Sequence, residues 1–323
     1  MKKIALFVFA VMASTVFYVS ESSAAQDGKS TWPAKPITVI FQVSAGGSGD
    51  LEVKAMQQAI EAKLGVRIIS DYQTGGGGIV AMSMLKRAKP DGYTLVYVNN
   101  PSLAVKELTT NPEVKALSDF DYLTNIVTEY RVLAARPDAP YSNVKELIAY
   151  CKSGKIPSVA NSGVGSSAHL QIVMMEDSLG IKFNDVPFEG NSAAKAAFLG
   201  GHVELWAIDA VSAIQQAKAG QCKILAYCGE TRHPALQDVP TFIEEGYPII
   251  SSTSRGFIAP KGLPREVKAV LIDAFESAAK GEAMTKYIDQ SQGTLDVRSD
   301  EIFKALAEKY FKDVEKFAHM FKK

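Results

Sequence analysis

The stretch that decides the fold is ITVIFQVSAGGSGDLEVKAMQQAIEAKLG, residues Ile37 to Gly65. Ile37-Thr38-Val39-Ile40-Phe41 is an apolar, β-branched run of strand length. A turn of small residues follows, and then Val53, Met56, Ile60 and Leu64 recur at helical spacing, which predicts a helix from about Asp50 to Lys63. A strand that passes through a glycine-rich turn into a helix presents main-chain N–H groups to an anion. The turn has neither GxGxxG nor GxxxxGK(S/T), so the nucleotide motifs fail on spacing and no cofactor is expected. Asp50, at or next to the N-cap, takes the first free N–H groups and repels a phosphate. Two readings stay open: Ser44 to Gly49 wrap a smaller anion such as a carboxylate, or they form a capped turn without a ligand.

Outward from this unit the alternation continues, with a strand at Arg67–Ser70, a helix at Ile79–Ala88 and a strand at Tyr93–Val98 entered by the turn Pro90-Asp91-Gly92. A second alternation starts near Tyr130. It runs through RVLAARPD, a helix at Val144–Lys152, SVANS, a helix at Ala168–Leu179, DVPF, a helix at Ala193–Leu199, VELWAID, a helix at Ala210–Ala219 and a strand at Lys223–Cys228. Helices at Pro264–Lys280 and Asp300–Phe321 close the chain. Alternation of this kind predicts parallel βαβ units and an α/β fold. The expected architecture is two lobes, each a mostly parallel sheet flanked by helices. Lobe one is residues 26–129 with 251–323, lobe two is the inserted 130–250, and a ligand cleft lies between them beyond the strands' carboxyl ends.

Residues 1–25 are not expected to belong to the fold. Lys2 and Lys3 precede an apolar run from Ile4 to Ala13, and Ser22, Ser23, Ala24 and Ala25 follow, the layout of a secretory signal cleaved after Ala25. The alternative is an uncleaved anchor, but the apolar core falls short of the ~20 residues a spanning helix needs. Without residues 1–25 the chain has 33 basic and 34 acidic residues, from 35 of each in the whole sequence. That balance gives no basis for binding nucleic acid or an anionic membrane. The three cysteines are too few for a disulfide scaffold. Cys222 and Cys228 would lie roughly 20 Å apart across an extended KILAY, so they do not pair; a Cys151–Cys222 bridge and three free thiols both remain open. The four histidines show no metal-ligand spacing, and no metal site is expected.

Four further loops carry polar groups. DYQTGGGGIVAM places Gly75 to Gly78 before a helix, at an entropic cost that suggests close backbone approach to something, or else a flexible loop. VNNPSLA offers Asn99, Asn100 and Ser102 at a strand's carboxyl end. VANSGVGSSAHL repeats the strand, Ser/Gly loop and helix-start design with Asn161, Ser162, Ser166 and Ser167. Ser166 or Ser167 beside His169 invites a hydrolase reading, but the order is not GxSxG, and His169 reads better as a packed residue. VPFEGNSAAKAAF adds Phe188, Glu189 and Gly190, and Asp209 either faces the cleft or caps the next helix.

In order and spacing, AGGSGD, GGGGIVA, KPDGYTL, SGVGSSAHL, VPFEGNSAA, LGGHVEL, ALQDVPTFIEEGYP and GFIAPKGLP resemble the solute-binding proteins of tripartite tricarboxylate transporters, the TctC or Bug family. The resemblance spans nearly the whole chain from Trp32. It implies a periplasmic, monomeric, non-enzymatic protein of the two-lobed periplasmic binding fold (type II-like). Such a protein closes on a small organic acid, di- or tricarboxylate or aromatic, and passes it to a two-component inner-membrane permease. Delivery to a sensor kinase's extracellular domain is the alternative, with an exported serine hydrolase behind it. Carried over position by position, the implied ligand contacts are Ser44, Ala45, Gly46, Gly47 and Ser48 in the first loop, Gly76, Gly77 and Gly78 in the second, and Asn99 and Ser102 in the third. Lobe two implies Ser162, Gly163, Ser166, Ser167 and Phe188, with Asp209 as a further candidate. The sequence departs from the family pattern at Ser44-Ala45 for Pro-Pro, at Gly78 for Asn, at Ile208 for Asp, and at Arg255, where an aromatic is common.

Overall fold

The computed structural model describes residues 32–109 and 113–321; the expected export signal and its expected cleavage after Ala25 lie outside the described residues. β1 (Ile37–Phe41) leads into α1 (Ser48–Leu64), and β2 (Ile68–Tyr72) into a 3-10 turn Gly75–Gly78 and α2 (Ile79–Arg87). β3 (Thr94–Asn100) leads into α3 (Ser102–Thr109). Then come β4 (Phe120–Ala135), α4 (Val144–Lys152), β5 (Ser158–Asn161), α5 (Ser167–Leu179), β6 (Asn184–Pro187) and α6 (Asn191–Leu199). β7 (Leu205–Asp209), α7 (Ala210–Lys218) and β8 (Lys223–Tyr227) follow. The chain ends through β9 (Ser252–Pro260), α8 (Arg265–Ala279), α9 (Glu282–Ser291), β10 (Leu295–Arg298) and α10 (Asp300–Phe317).

The βαβ expectation holds where the loops are built. β1 pairs in parallel with β2 and β3, and β5 pairs in parallel with β6 and β7. Between these two sets the pairing turns antiparallel. β9 lies between β3 and the first part of β4, β10 also pairs with β4, and the later part of β4 pairs with β7 and β8. The strand order is β2-β1-β3-β9-β4-β7-β5-β6. Tyr130, the expected lobe boundary, therefore falls inside one continuous strand of 16 residues rather than in a linker. Its sequence, FDYLTNIVTEYRVLAA, alternates too little to read as a half-exposed strand because nearly all of it is buried.

The quoted stretch folds as read, with α1 starting two residues earlier. Val53, Met56, Ile60 and Leu64 are buried, each contributing about 1.5–3 kcal/mol of apolar burial. Gly65 ends α1 in the left-handed region at φ 71°, its N–H donating to Glu61 O. One core joins Ile40, Val96, Leu103 and Ile258 to Ala81, Leu85 and Phe303. On the β5 side, Leu133, Val159 and Leu205 pack beneath α4 and α5, while Ala160, Trp206 and Ile208 pack beneath α6 and α7. Of the two cysteine readings the structure gives three free thiols, with Cys222 and Cys228 buried and Cys151 half-buried.

Candidate functional site

Two helix starts meet over one face of β9. Thr253 and Arg255 are two residues apart, so they share a face and sit about 7 Å from each other. The Thr253 hydroxyl donates to Ser167 Oγ, the first residue of α5, at 3.0 Å. Arg255 lies beneath the first turn of α1: a Cβ on Gly49 would stand 3.9 Å from Arg255 Cδ and 3.1 Å from the Tyr97 ring. The N-termini of α1 and α5, one following β1 and the other β5, therefore converge on a common floor. Both carry the partial positive charge of their unpaired first-turn amides.

In the first loop the donors differ from those expected. Asp50 lies at the third helical position, and its carboxylate reaches back to the Gly46 N–H at 2.6 Å while also accepting from Lys54 Nζ and Tyr72 OH, both at 2.8 Å. Burial pushes this carboxyl up, but the Gly46 amide, Lys54 and Tyr72 outweigh it and hold it below the usual carboxylate range. The Gly47 N–H donates to Ser44 O at 3.1 Å. Gly46 and Gly47 thus spend their amides on the loop itself, whereas the amides of Ser48 and Gly49 meet no acceptor among the described residues. Ser44 and Ala45 are exposed.

Gln42, which sequence reasoning passed over, ties three loops together. Its Oε1 accepts the Asn99 N–H at 2.9 Å, and its Nε2 lies 3.5 Å from Gly78 O. A Cβ on Gly78, at φ +98°, would stand 2.8 Å from that Nε2. Gln42 thus occupies the space a side chain at Gly78 would fill, which accounts for the glycine there. Gly76 and Gly77 form the 3-10 turn before it, and Ser102 opens α3 half-buried.

The loop between β5 and α5 is tightly tied. Asn161 Oδ1 accepts the Gly163 N–H at 2.7 Å, and its amide donates to Asp185. Ser166 is the N-cap of α5, its Oγ accepting from the His169 N–H at 3.2 Å. His169 accepts the Gly165 N–H on Nδ1 at 3.1 Å and sets Nε2 3.2 Å from Asp185. Ser166 is therefore a cap and Ser167 is bonded to Thr253, while the imidazole nitrogens face Gly165 and Asp185. Ser162 and Gly163 are half-buried, and Phe188 packs on the Trp206 cluster with its carbonyl beside Gly163. Asp209, held open between cleft and cap, is the cap of α7: it accepts the Ser212 N–H at 2.9 Å and is buried.

Beneath the two helix starts lies a buried ionic cluster. Arg255 pairs with Glu52, which also accepts from Tyr97 OH at 2.7 Å. Burial lowers the guanidinium's pKa and Glu52 more than reverses it, so Arg255 stays charged. Arg255, the departure from the family pattern, is thus a buried ion-pair partner of Glu52 and not an exposed cation. The signal was available in α1, where Glu52 stands four residues before Met56 on the core-facing side. Ser48, Glu52, Glu129, Val211, Arg255, Tyr287, Ile288 and Ser291 line a cavity of ≈10 Å³, room for about one water. Ser48 of α1 and Val211 of α7 line the same cavity, so the first loop lies close to the start of α7.

Parallel strands in two sets, joined by antiparallel crossing strands and aiming helix starts at a shared floor, define a two-lobed α/β solute-binding protein. The chain belongs to the family of tripartite tricarboxylate transporter receptors, TctC, whose model matches residues 53–311. A protein encoded in the gbd 5′ region of Cupriavidus necator is 29% identical over 83% of this chain and 82% of its own. The structure of the periplasmic binding protein BugD is 27% identical, covering 90% of this chain and 98% of its own with a TM-score of 0.80. MatC from Rhodopseudomonas palustris, solved with bound malate, shares the fold at 24% identity, covering 88% and 99% with a TM-score of 0.82.

Proposed function

We propose that this protein is exported to the periplasm, its signal removed near Ala25, and works there as a monomeric, non-enzymatic receptor. It captures a small organic acid between lobe one (residues 26–129 and 251–323) and lobe two (130–250) and hands it to a two-component permease. The observation that carries this reading is the convergence of α1 and α5 over Thr253 and Arg255, with the Ser48 and Gly49 amides meeting no acceptor among the described residues. An acid's carboxylate placed there accepts preorganised N–H donors. Each charge-assisted bond contributes ~1.5–3 kcal/mol, and a few of them support micromolar affinity after ordering costs. Lys54 is matched by Asp50 and Arg255 by Glu52, whereas the buried Arg131 guanidinium donates to Gln171, to the Ala207 carbonyl and to Thr253 on the floor itself. The amides and hydroxyls therefore act with Arg131 as the one nearby cation that has no carboxylate bonded to it among the described residues. The malate held by a neighbour of the same fold makes dicarboxylates the first ligands to try.

A thermal-shift panel of mono-, di- and tricarboxylates and aromatic acids on residues 26–323 is the direct test; a ligand raises Tm by mass action. No shift with any organic acid would remove the reading. Ser48→Pro then addresses the site. Ser48 is the first residue of α1, Gly47 before it is extended at φ −71° and ψ 163°, and proline is well tolerated in that setting. The variant deletes one donor amide with little change in stability, and affinity should fall about tenfold or more against a Ser48→Ala control. Equal affinity in the two variants would take α1 out of the site.

A further inference from the structure

Lys106 stands outside the donor ring described above, yet it reaches the loop that supplies half of it. It lies one turn after Ser102 on α3, so the two side chains share a helix face. Its side chain is buried, and Nζ lies 2.6 Å from Val164 O, in the loop between β5 and α5 that carries Ser162, Gly163 and Ser166. The next residue is shaped to admit it. Gly165 sits at φ +74°, and a Cβ there would stand 3.0 Å from Nζ and 3.1 Å from Cε. Glu189, in the loop between β6 and α6, is the carboxylate whose charge acts on the ammonium, opposing the burial that lowers its pKa. Alongside runs an apolar seam in which Ala104, Val105 and Val314 pack on Leu170, flanked by Met174, Phe311, Phe317 and Phe321. Apolar contact holds α3, α5 and α10 together without fixing their relative position, whereas an ammonium bonded to the Val164 carbonyl is directional.

We infer that Lys106 is a positioning residue: its ammonium latches the β5–α5 loop onto α3 and thereby fixes the spacing between the donors of the two lobes. The inference rests on the lobe division proposed above, but it needs no particular ligand.

The test uses ligand-free protein and two readouts, small-angle scattering for lobe separation and hydrogen exchange of the Asn161–Leu170 segment. Lys106→Met keeps the length and apolar stem but removes the donor. It should raise the radius of gyration and speed exchange in that segment about tenfold or more, the effect of losing one bond from a charged donor. Lys106→Arg, which keeps a charged donor on an apolar stem, should recover slow exchange and the wild-type radius of gyration at least in part. Unchanged scattering and exchange in Lys106→Met would overturn the latch. Neither readout depends on an added acid, so such a result leaves carboxylate capture standing, and a silent ligand panel leaves the latch standing.

Discussion

Glu129 lies on β4 in the wall of the small cavity, its Oε1 accepting the Thr294 N–H at 2.8 Å. A Cβ on Gly293 would stand 2.9 Å from the same oxygen, so that glycine makes room for the carboxyl. Burial drives its pKa from 4.5 up to about 8; Arg255 and the Thr294 amide oppose the rise, and Asp209 and Glu52 add to it. An unfolded chain loses this proton above about pH 4.5, and the folded protein keeps it to about pH 8. The folded form therefore binds more protons across that window. Stability from this group is fully present below pH 4.5, declines as pH rises through 8, and is level beyond. Glu129→Gln should flatten that decline, with Tm of the variant exceeding wild type at pH 7 by an amount equivalent to about 1–3 kcal/mol. Parallel Tm–pH curves for the two proteins would show that Glu129 is ionised in the fold.

Among the elements, β4 and β9 do the joining. The pairing of β4 with β9 shifts register between Tyr122 and Thr124 and again between Asn125 and Val127, so two irregularities flank the pair Asn125–Gly256. At that point β9 presses onto its neighbour: a Cβ on Gly256 would stand 2.2 Å from Thr124 O and 2.9 Å from the Phe303 ring. Gly256→Ala should lower unfolding stability by roughly 1–3 kcal/mol or more, measured by urea denaturation. A wild-type midpoint would mean that the strands part without cost. The sequence made the parallel units legible because each has an apolar strand, a turn of small residues and an amphipathic helix in sequence order. It hid β9 and the early part of β4, whose partners are set by contacts more than a hundred residues away and whose burial on both faces erases any period-2 pattern. The same limit applies to the site. Ser48, Ser166 and Ser167 could be found from their place at helix starts, whereas Gln42 and Lys106 act through loops distant in sequence, and no local signal marks them.

For the molecule as a whole, stability comes from packing and internal ion pairs, with no cross-link among the cysteines. Burial raises the Cys222 thiol to about 11 and, with Arg131 and Gln171 pulling the other way, the Cys228 thiol to about 12. A thiolate is the reacting species, so both are inert in the folded state. A thiol-reactive dye should label no more than Cys151 before unfolding and all three afterwards, and a reductant should leave Tm unchanged. Two or more thiols labelled in the native protein, or a drop in Tm with reductant, would contradict this arrangement.

β4 has one further consequence. Because its first half completes one sheet and its second half the other, no cut near Tyr130 yields two intact pieces. A fragment stopping near Tyr130 would leave raw hydrogen-bonding edges on both sides of the break, a template for aggregation rather than a half-receptor. Any movement between the halves must be a twist carried by an unbroken ribbon of backbone, closer to a torsion spring than to a door on a loose pin.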